Sequence, residues 1–169
     1  RIMSKWEIDH LYHYKNRKVI YGDTYIFSMR EHLAELKSEL QGLTEITEER
    51  VLSRYEYRAS ERTLQVLIEA CIGIAKHWSY AINKTAPADA YSAFEKLSQQ
   101  GIESVNEVPW RKIIGMRNAL VHACFENEKL NIEPEIIRTA IKKTTYTMLF
   151  DFAESGLNQL EKVLTENDG

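Results

Sequence analysis

The sequence predicts an all-α bundle of about five helices built around one long central helix, and three observations carry that prediction. The 169 residues include only 7 Gly and 3 Pro, too few breakers for a turn-rich fold. Apolar residues recur at steps of three and four through most of the chain, which is the period of a helix with one buried face. No convincing strand interrupts them.

Composition bounds what such a bundle can be. A chain of this length fits one domain and buries roughly two-thirds of the surface its unfolded form exposes. With 44% hydrophobic and 28% charged residues it has the balance of a compact globular protein. Its two cysteines, Cys71 and Cys124, make no disulfide framework, and neither belongs to a Cys-x-x-Cys pair, so a reducing cytoplasm is the expected location. No uninterrupted apolar run approaches the length of about 18 residues that a membrane span requires. The first residues carry Tyr, His and Glu where a signal peptide needs a continuous apolar stretch, so a soluble, unexported protein is expected. The net charge of -3 argues against a general polyanion binder, and any RNA contact must rely on a local patch.

Taken in chain order, Met3-Ser4 has the look of a natural start, with Arg1 and Ile2 as a remnant. Residues 1–22 form an N-terminal extension that mixes aromatics with charges and lacks sustained helical periodicity; residues 23–166 form the helical domain. Asp23 or Thr24 can cap the first helix, whose stripe is Ile26, Met29, Leu33, Leu36, Leu40 and Leu43. After Gly42, the stretch from about Thr47 to Asn83 contains no Pro and a single Gly, and predicts one long helix capped by Thr47. Between Leu64 and Trp78 this helix is apolar on nearly every side and must be covered all round. Either it is a central core helix, or a second subunit covers what one chain leaves bare. Shorter helices follow at about Ala88–Gln100, stopped by Gly101, and at about Trp110–Val121, entered after Pro109. A last helix runs from Pro134 to about Thr165. There is no internal repeat, low-complexity stretch or Gly/Ser linker at which a second domain would begin.

The chemistry concentrates in the helix beginning at Trp110. Arg117 supplies an always-charged guanidinium and His122 an imidazole that exchanges protons near neutral pH. RNA can be cut without metal when its 2′-hydroxyl attacks the adjacent phosphorus, provided a base takes that proton and an acid protonates the leaving 5′-oxygen. His122 could serve as either, and the planar fork of Arg117 could hold two phosphate oxygens as negative charge builds. Residues five apart on an ideal helix point about 140° away from each other. Either the helix therefore ends near Val121 and His122 turns back, or two chains together compose the site. By spacing alone, a solvated Arg and a packed His are the commoner meaning of such a pair.

The surroundings sharpen it. Arg117-Asn118 followed by His122 resembles the Arg-x4-His motif of HEPN ribonucleases, in which Asn commonly follows the Arg. Upstream, Glu61-Arg-Thr-Leu-Gln-Val-Leu-Ile-Glu-Ala-Cys-Ile-Gly-Ile-Ala-Lys-His-Trp78 is similar to the central helix of the HepT-like branch, and Tyr91-Ser-Ala-Phe-Glu-Lys-Leu-Ser-Gln-Gln-Gly101 to its connecting helix. The likeness covers roughly residues 50–155. It implies a HEPN-like bundle forming a homodimer, and a metal-independent endoribonuclease toxin cutting tRNA or mRNA. The implied antitoxin is a minimal nucleotidyltransferase of the MntA kind, with no cofactor on the toxin. Arg117 and His122 inherit the catalytic roles, with Asn118 in support. The family's pattern continues His-x-Tyr, and that tyrosine accepts AMP from the antitoxin. Here the position is Cys124, and a thiol is a poor substitute for a phenol. If Cys124 is natural, the antitoxin must mask the site or modify another group; the other reading is an introduced substitution.

Other features have two readings each. Arg50, Arg54, Arg58 and Arg62 recur every four residues, as a stripe guiding an RNA backbone or as a solvated face paired with Glu49, Glu56 and Glu61. Trp110, Arg111 and Lys112 could stack on a base and neutralise phosphates, though a Trp so placed is more often a core anchor. His10 and His13 have no ligand cluster beside them and no metal site is expected. His77 beside Trp78 has the character of a packed core histidine. No Gly-rich phosphate loop or Gly-x-Ser-x-Gly elbow is present. The competing assignments are a non-catalytic helical subunit, holding substrate for or regulating a nucleotidyltransferase, and a purely structural dimer.

Overall fold

The structure, a computed structural model, describes residues 19–126 and 134–167, with side chains described for 23–121 and 134–166. Seven helices account for nearly all the described residues: α1 (Val19–Glu49), α2 (Arg54–Asn83), α3 (Ala90–Gln99), α4 (Glu103–Asn106), α5 (Trp110–Glu126), α6 (Pro134–Lys142) and α7 (Thr147–Asn167). No strand occurs among the described residues, so the all-α class stands, with two more helices than expected. His10 and His13 lie outside the described residues.

The first correction is the junction of α1 and α2. Asp23 and Thr24 sit inside α1 rather than capping it, and α1 runs past Gly42 to Glu49. Glycine in a helix costs only about 0.5–1 kcal/mol relative to alanine, and burial of Leu36, Leu40 and Leu43 on either side of Gly42 outweighs that. The chain breaks instead at Arg50–Ser53, because Ser53 and Glu56 form a capping box. The Glu56 N–H donates to Ser53 Oγ at 3.2 Å, and the Ser53 N–H donates to Glu56 Oε1 at 2.8 Å. The expected Thr47 cap is absent; the Thr47 hydroxyl donates to the Thr44 carbonyl within α1.

The second correction concerns α2. Leu67, Ile68, Cys71, Ile74 and Ala75 are completely buried, and α1, α3, α5, α6 and α7 all pack against this helix. A single chain therefore covers it, and it no longer argues for a second subunit. Gly156 on α7 permits a close approach: a Cβ there would lie 2.5 Å from Ile74 Cγ2 and 3.2 Å from Trp78 Cε3. At its C-terminal end, α2 stops on Lys84 in the left-handed region, φ 59°, whose N–H donates to the Tyr80 carbonyl.

The third is the split of the expected last helix. Lys143–Tyr146 interrupt it, with Thr144 at φ 53°. A tertiary contact holds this break. Thr44 Oγ1 on α1 lies 2.8 Å from the Ile141 carbonyl, 3.0 Å from its own Leu40 carbonyl and 2.6 Å from the Tyr146 hydroxyl. A hydroxyl has one proton, so Thr44 shares its proton between the two carbonyls while the Tyr146 O–H donates to Thr44. The end of α6 is thereby satisfied from another helix.

The remaining boundaries agree with local chemistry. Asp89 caps α3 by accepting the Ser92 N–H at 2.7 Å, and Gly101 at φ 75° ends it. The one-turn α4 was not anticipated; Ser98 Oγ donates to Asn106 Oδ1 at 2.6 Å and ties it to α3. No described helix is long and apolar enough to cross a membrane.

Candidate functional site

Helix α5 carries the Arg117-Asn118-x3-His122 segment, and its fold explains where each side chain goes. Pro109 precedes its first turn, accepting the Ile113 N–H at 3.1 Å. Trp110, Ile114 and Leu120 are 5%, 1% and 3% exposed, which marks one face of α5 as the core face. Arg117 stands seven residues after Trp110 and three before Leu120, so it falls on that same face. It is half-buried, and its Nε is shielded from water with no hydrogen-bond partner among the described residues. Asn118, one position on, is half-buried.

Because α5 continues as a helix to Glu126, it does not end near Val121, and the expectation that His122 turns back there is corrected. The backbone at position 122 is therefore rotated by about 140° from Arg117. One copy of the helix does not bring the two positions onto one face. The side chains of His122 and Cys124 lie outside those described.

The other candidates separate clearly. Trp110 is buried: its ring stacks on Phe94 with centroids 4.0 Å apart and meets Phe152 edge-on at 4.6 Å. Both contacts belong to the core, so the base-stacking expectation for Trp110 gives way to a core anchor. Arg111 and Lys112 are exposed and form no ion pair among the described residues. Arg54, Arg58 and Arg62 are exposed on α2, but the arginine stripe is shorter than expected. Arg50 lies in the α1–α2 connection and holds Glu56 with two bonds of 2.7 and 2.8 Å, which together with the Ser53 bonds keep that carboxyl down at about 2. Arg58 contacts Glu61 at 3.4 Å. Burial raises the Glu61 carboxyl above its ordinary value, against the opposing pull of Arg58. Beside it, Arg138 from α6 lies over the ring of Tyr57, 5.3 Å from its centroid. His77 is half-buried and packs on Tyr25 at 4.2 Å between ring centroids, at the edge of the core rather than inside it.

Two grooves flank α5. One, of about 780 Å³, is apolar and lined by Leu64, Ile113, Met116, Ala119, Ile136 and Met148 among others. Ile136 and Met148 are 52% and 38% exposed there. The other, of about 590 Å³, lies between α3, α4 and the start of α5; Lys112 borders both. Sequence periodicity missed these grooves, because they depend on the unanticipated α4 and on the α6–α7 break. No cluster of three or more His, Cys, Asp or Glu suited to a metal ion occurs among the described residues.

A bundle with no strand among the described residues, built around one long buried helix with the Arg-x4-His helix laid against it, agrees with the HEPN type. The chain belongs to the HepT-like family: the family model described as Ribonuclease HepT-like matches residues 29–155. The matched span begins well before residue 50, where the likeness in the sequence starts. No curated protein and no solved structure matches the chain.

Proposed function

We propose that this chain is a metal-independent endoribonuclease toxin of the cytoplasm, cutting tRNA or mRNA at a site composed by two copies. The observation that carries the reading is Arg117. Its half-buried side chain stands on the helix that carries the Arg-x4-His segment, within the matched residues 29–155. A guanidinium can hold two phosphate oxygens at once, and the family match supplies the substrate class.

In the proposed reaction the 2′-hydroxyl oxygen bonds to the adjacent phosphorus as a base takes its proton. The bond from phosphorus to the 5′-oxygen then breaks as an acid protonates that oxygen. A 2′,3′-cyclic phosphate and a free 5′-hydroxyl result. His122 takes the proton-transfer role and Arg117 grips the phosphate oxygens as their charge grows, with Asn118 beside it. Since α5 is uninterrupted, a second copy facing the first would bring the groups of both chains about one two-fold axis. The apolar groove beside α5 offers the surface that such a homodimer would cover.

A nucleotidyltransferase of the MntA kind is the proposed antitoxin. With Cys124 in the place of the AMP-accepting tyrosine, it would act by masking the site or modifying another group.

The test is incubation of the purified protein with RNA in the presence of a chelator. Cleavage leaving cyclic phosphate ends is expected for the wild type, and none for Arg117→Ala or His122→Ala proteins that melt like it. Intact RNA after long incubation with folded wild type would sink the reading.

A further inference from the structure

The groove between α3, α4 and the first turn of α5 has no part in the reaction just described, yet its lining is unusual for a plain surface cleft. Phe94, Val105, Val108 and Trp110 give it an apolar floor, all of them buried. Tyr91 stands on its rim with 40% of its surface open to solvent. Gln99 and Asn106 add amide groups, and Glu95 a carboxylate. Arg111 and Lys112 close one side, both exposed and without an ion pair among the described residues. Trp110, 5% exposed, has a shielded Nε1–H with no acceptor among the described residues.

An open ring, amide edges and two cations with no ion pair among the described residues, around a cavity of about 590 Å³, match the parts of a single-stranded nucleotide. Bases stack on exposed aromatic faces, amides and carboxylates read base edges, and Arg and Lys neutralise phosphates. Position adds a second argument. On the continuous α5, Arg111, Asn118 and position 122 fall within about 40° of one another, and the rise from 111 to 122 is about 16 Å. One face of a single helix thus runs from the groove to position 122, while Arg117 lies on the core face.

We infer that this groove is a binding subsite for a nucleotide flanking the cleaved bond, its base against Tyr91 and its phosphate on Arg111 and Lys112. The inference rests on the ribonuclease reading for the identity of the ligand. It explains how a chain of net charge -3 holds RNA at all: through a local patch rather than an overall field.

Binding separates this inference from the reaction. A short, fluorescein-labelled single-stranded RNA of mixed sequence is titrated into full-length Arg117→Ala protein, with Tyr91→Ala or with Arg111→Ala and Lys112→Ala added. Tyr91→Ala should weaken binding about five-fold or more. Removing both cations should lower the slope of log K against log salt by roughly 1.4, at about 0.7 per phosphate contact on a single strand. Thermal melts check folding, and thiouridine-substituted RNA crosslinked to the otherwise unmodified wild-type chain should mark residues 91–112. If these variants bind within two-fold of their parent, or the crosslinks map to other helices, the subsite is overturned even where wild type cuts RNA. Dependence of binding on the groove in a protein that never cuts RNA would sink the ribonuclease reading and leave the subsite standing. A groove that loses a protein ligand rather than RNA on Tyr91→Ala would also overturn it.

Discussion

The indole of Trp110 lies almost parallel to the ring of Phe94, 15° from coplanar at a centroid separation of 4.0 Å, and so locks the first turn of α5 onto α3. Phe152 from α7 closes the cluster from the edge, and Trp78 of α2 approaches Phe152 in turn at 5.9 Å. Four helices thus meet at the base of the helix that carries Arg117, and the orientation of that side chain depends on the meeting holding.

Trp110→Ala should therefore act through stability. Loss of a buried Trp costs about 3–5 kcal/mol, and urea unfolding followed by circular dichroism should show it. A variant that unfolds at the wild-type midpoint but no longer binds RNA would mean that Trp110 contacts the ligand after all.

Complementation tests the two-copy site. Arg117→Ala and His122→Ala proteins, each inactive, should regain activity when mixed and allowed to exchange subunits. With Arg from one chain working beside His from the other, half the dimers are mixed and each has one intact site, giving about a quarter of wild-type activity. A mixture as dead as its parents would place both groups in the same chain.

The Arg50–Glu56 pair sets an acid limit on the α1–α2 junction. The Glu56 carboxyl is held down to about 2 in the folded protein, against an ordinary value of 4.5, so the folded state binds fewer protons through that interval. Its contribution is complete above about 4.5 and is lost as pH falls towards 2. Denaturation midpoints measured across that window should fall less steeply for Arg50→Ala than for wild type. Parallel curves would show that the pair is not formed in solution.

Gly156→Ala should destabilise, because the added methyl would reach 2.5 Å from Ile74 Cγ2 on the completely buried side of α2. Overpacking of this sort costs about 1–3 kcal/mol. The same change at Gly42, where a Cβ meets nothing within 4 Å, should be neutral or stabilising by up to about 1 kcal/mol. A melting comparison of the two variants checks both, and equal Tm values would contradict the packing described.

Part of this molecule was legible before any coordinates. The stripe from Ile26 to Leu43 is buried as its spacing predicted, with only Met29 partly so, and Gly101 ends α3 in the left-handed region as its type predicted. The α1–α2 junction was also written in the chain, as Ser53 three residues before Glu56, but the glycine at 42 looked the stronger signal. Local chemistry favoured the box because two reciprocal bonds and the Arg50 clamp gather on one turn. The α6–α7 break carries no Gly or Pro to announce it: Thr144 takes the left-handed region, and Thr44, about a hundred residues upstream, donates to the carbonyl of Ile141.

By itself, then, the sequence determined the helical class, the buried stripes and the segment that bears Arg117, Asn118 and His122, because helical periodicity and cap chemistry are properties of neighbours along the chain. Tertiary structure alone decided that one copy of the chain suffices to cover α2, that Trp110 belongs to the core, and that Arg117 faces inward with an N–H that has no partner among the described residues. The reason is geometric: a repeat of 3.6 residues says which side chains share a face, whereas what lies against that face is settled only when distant helices pack.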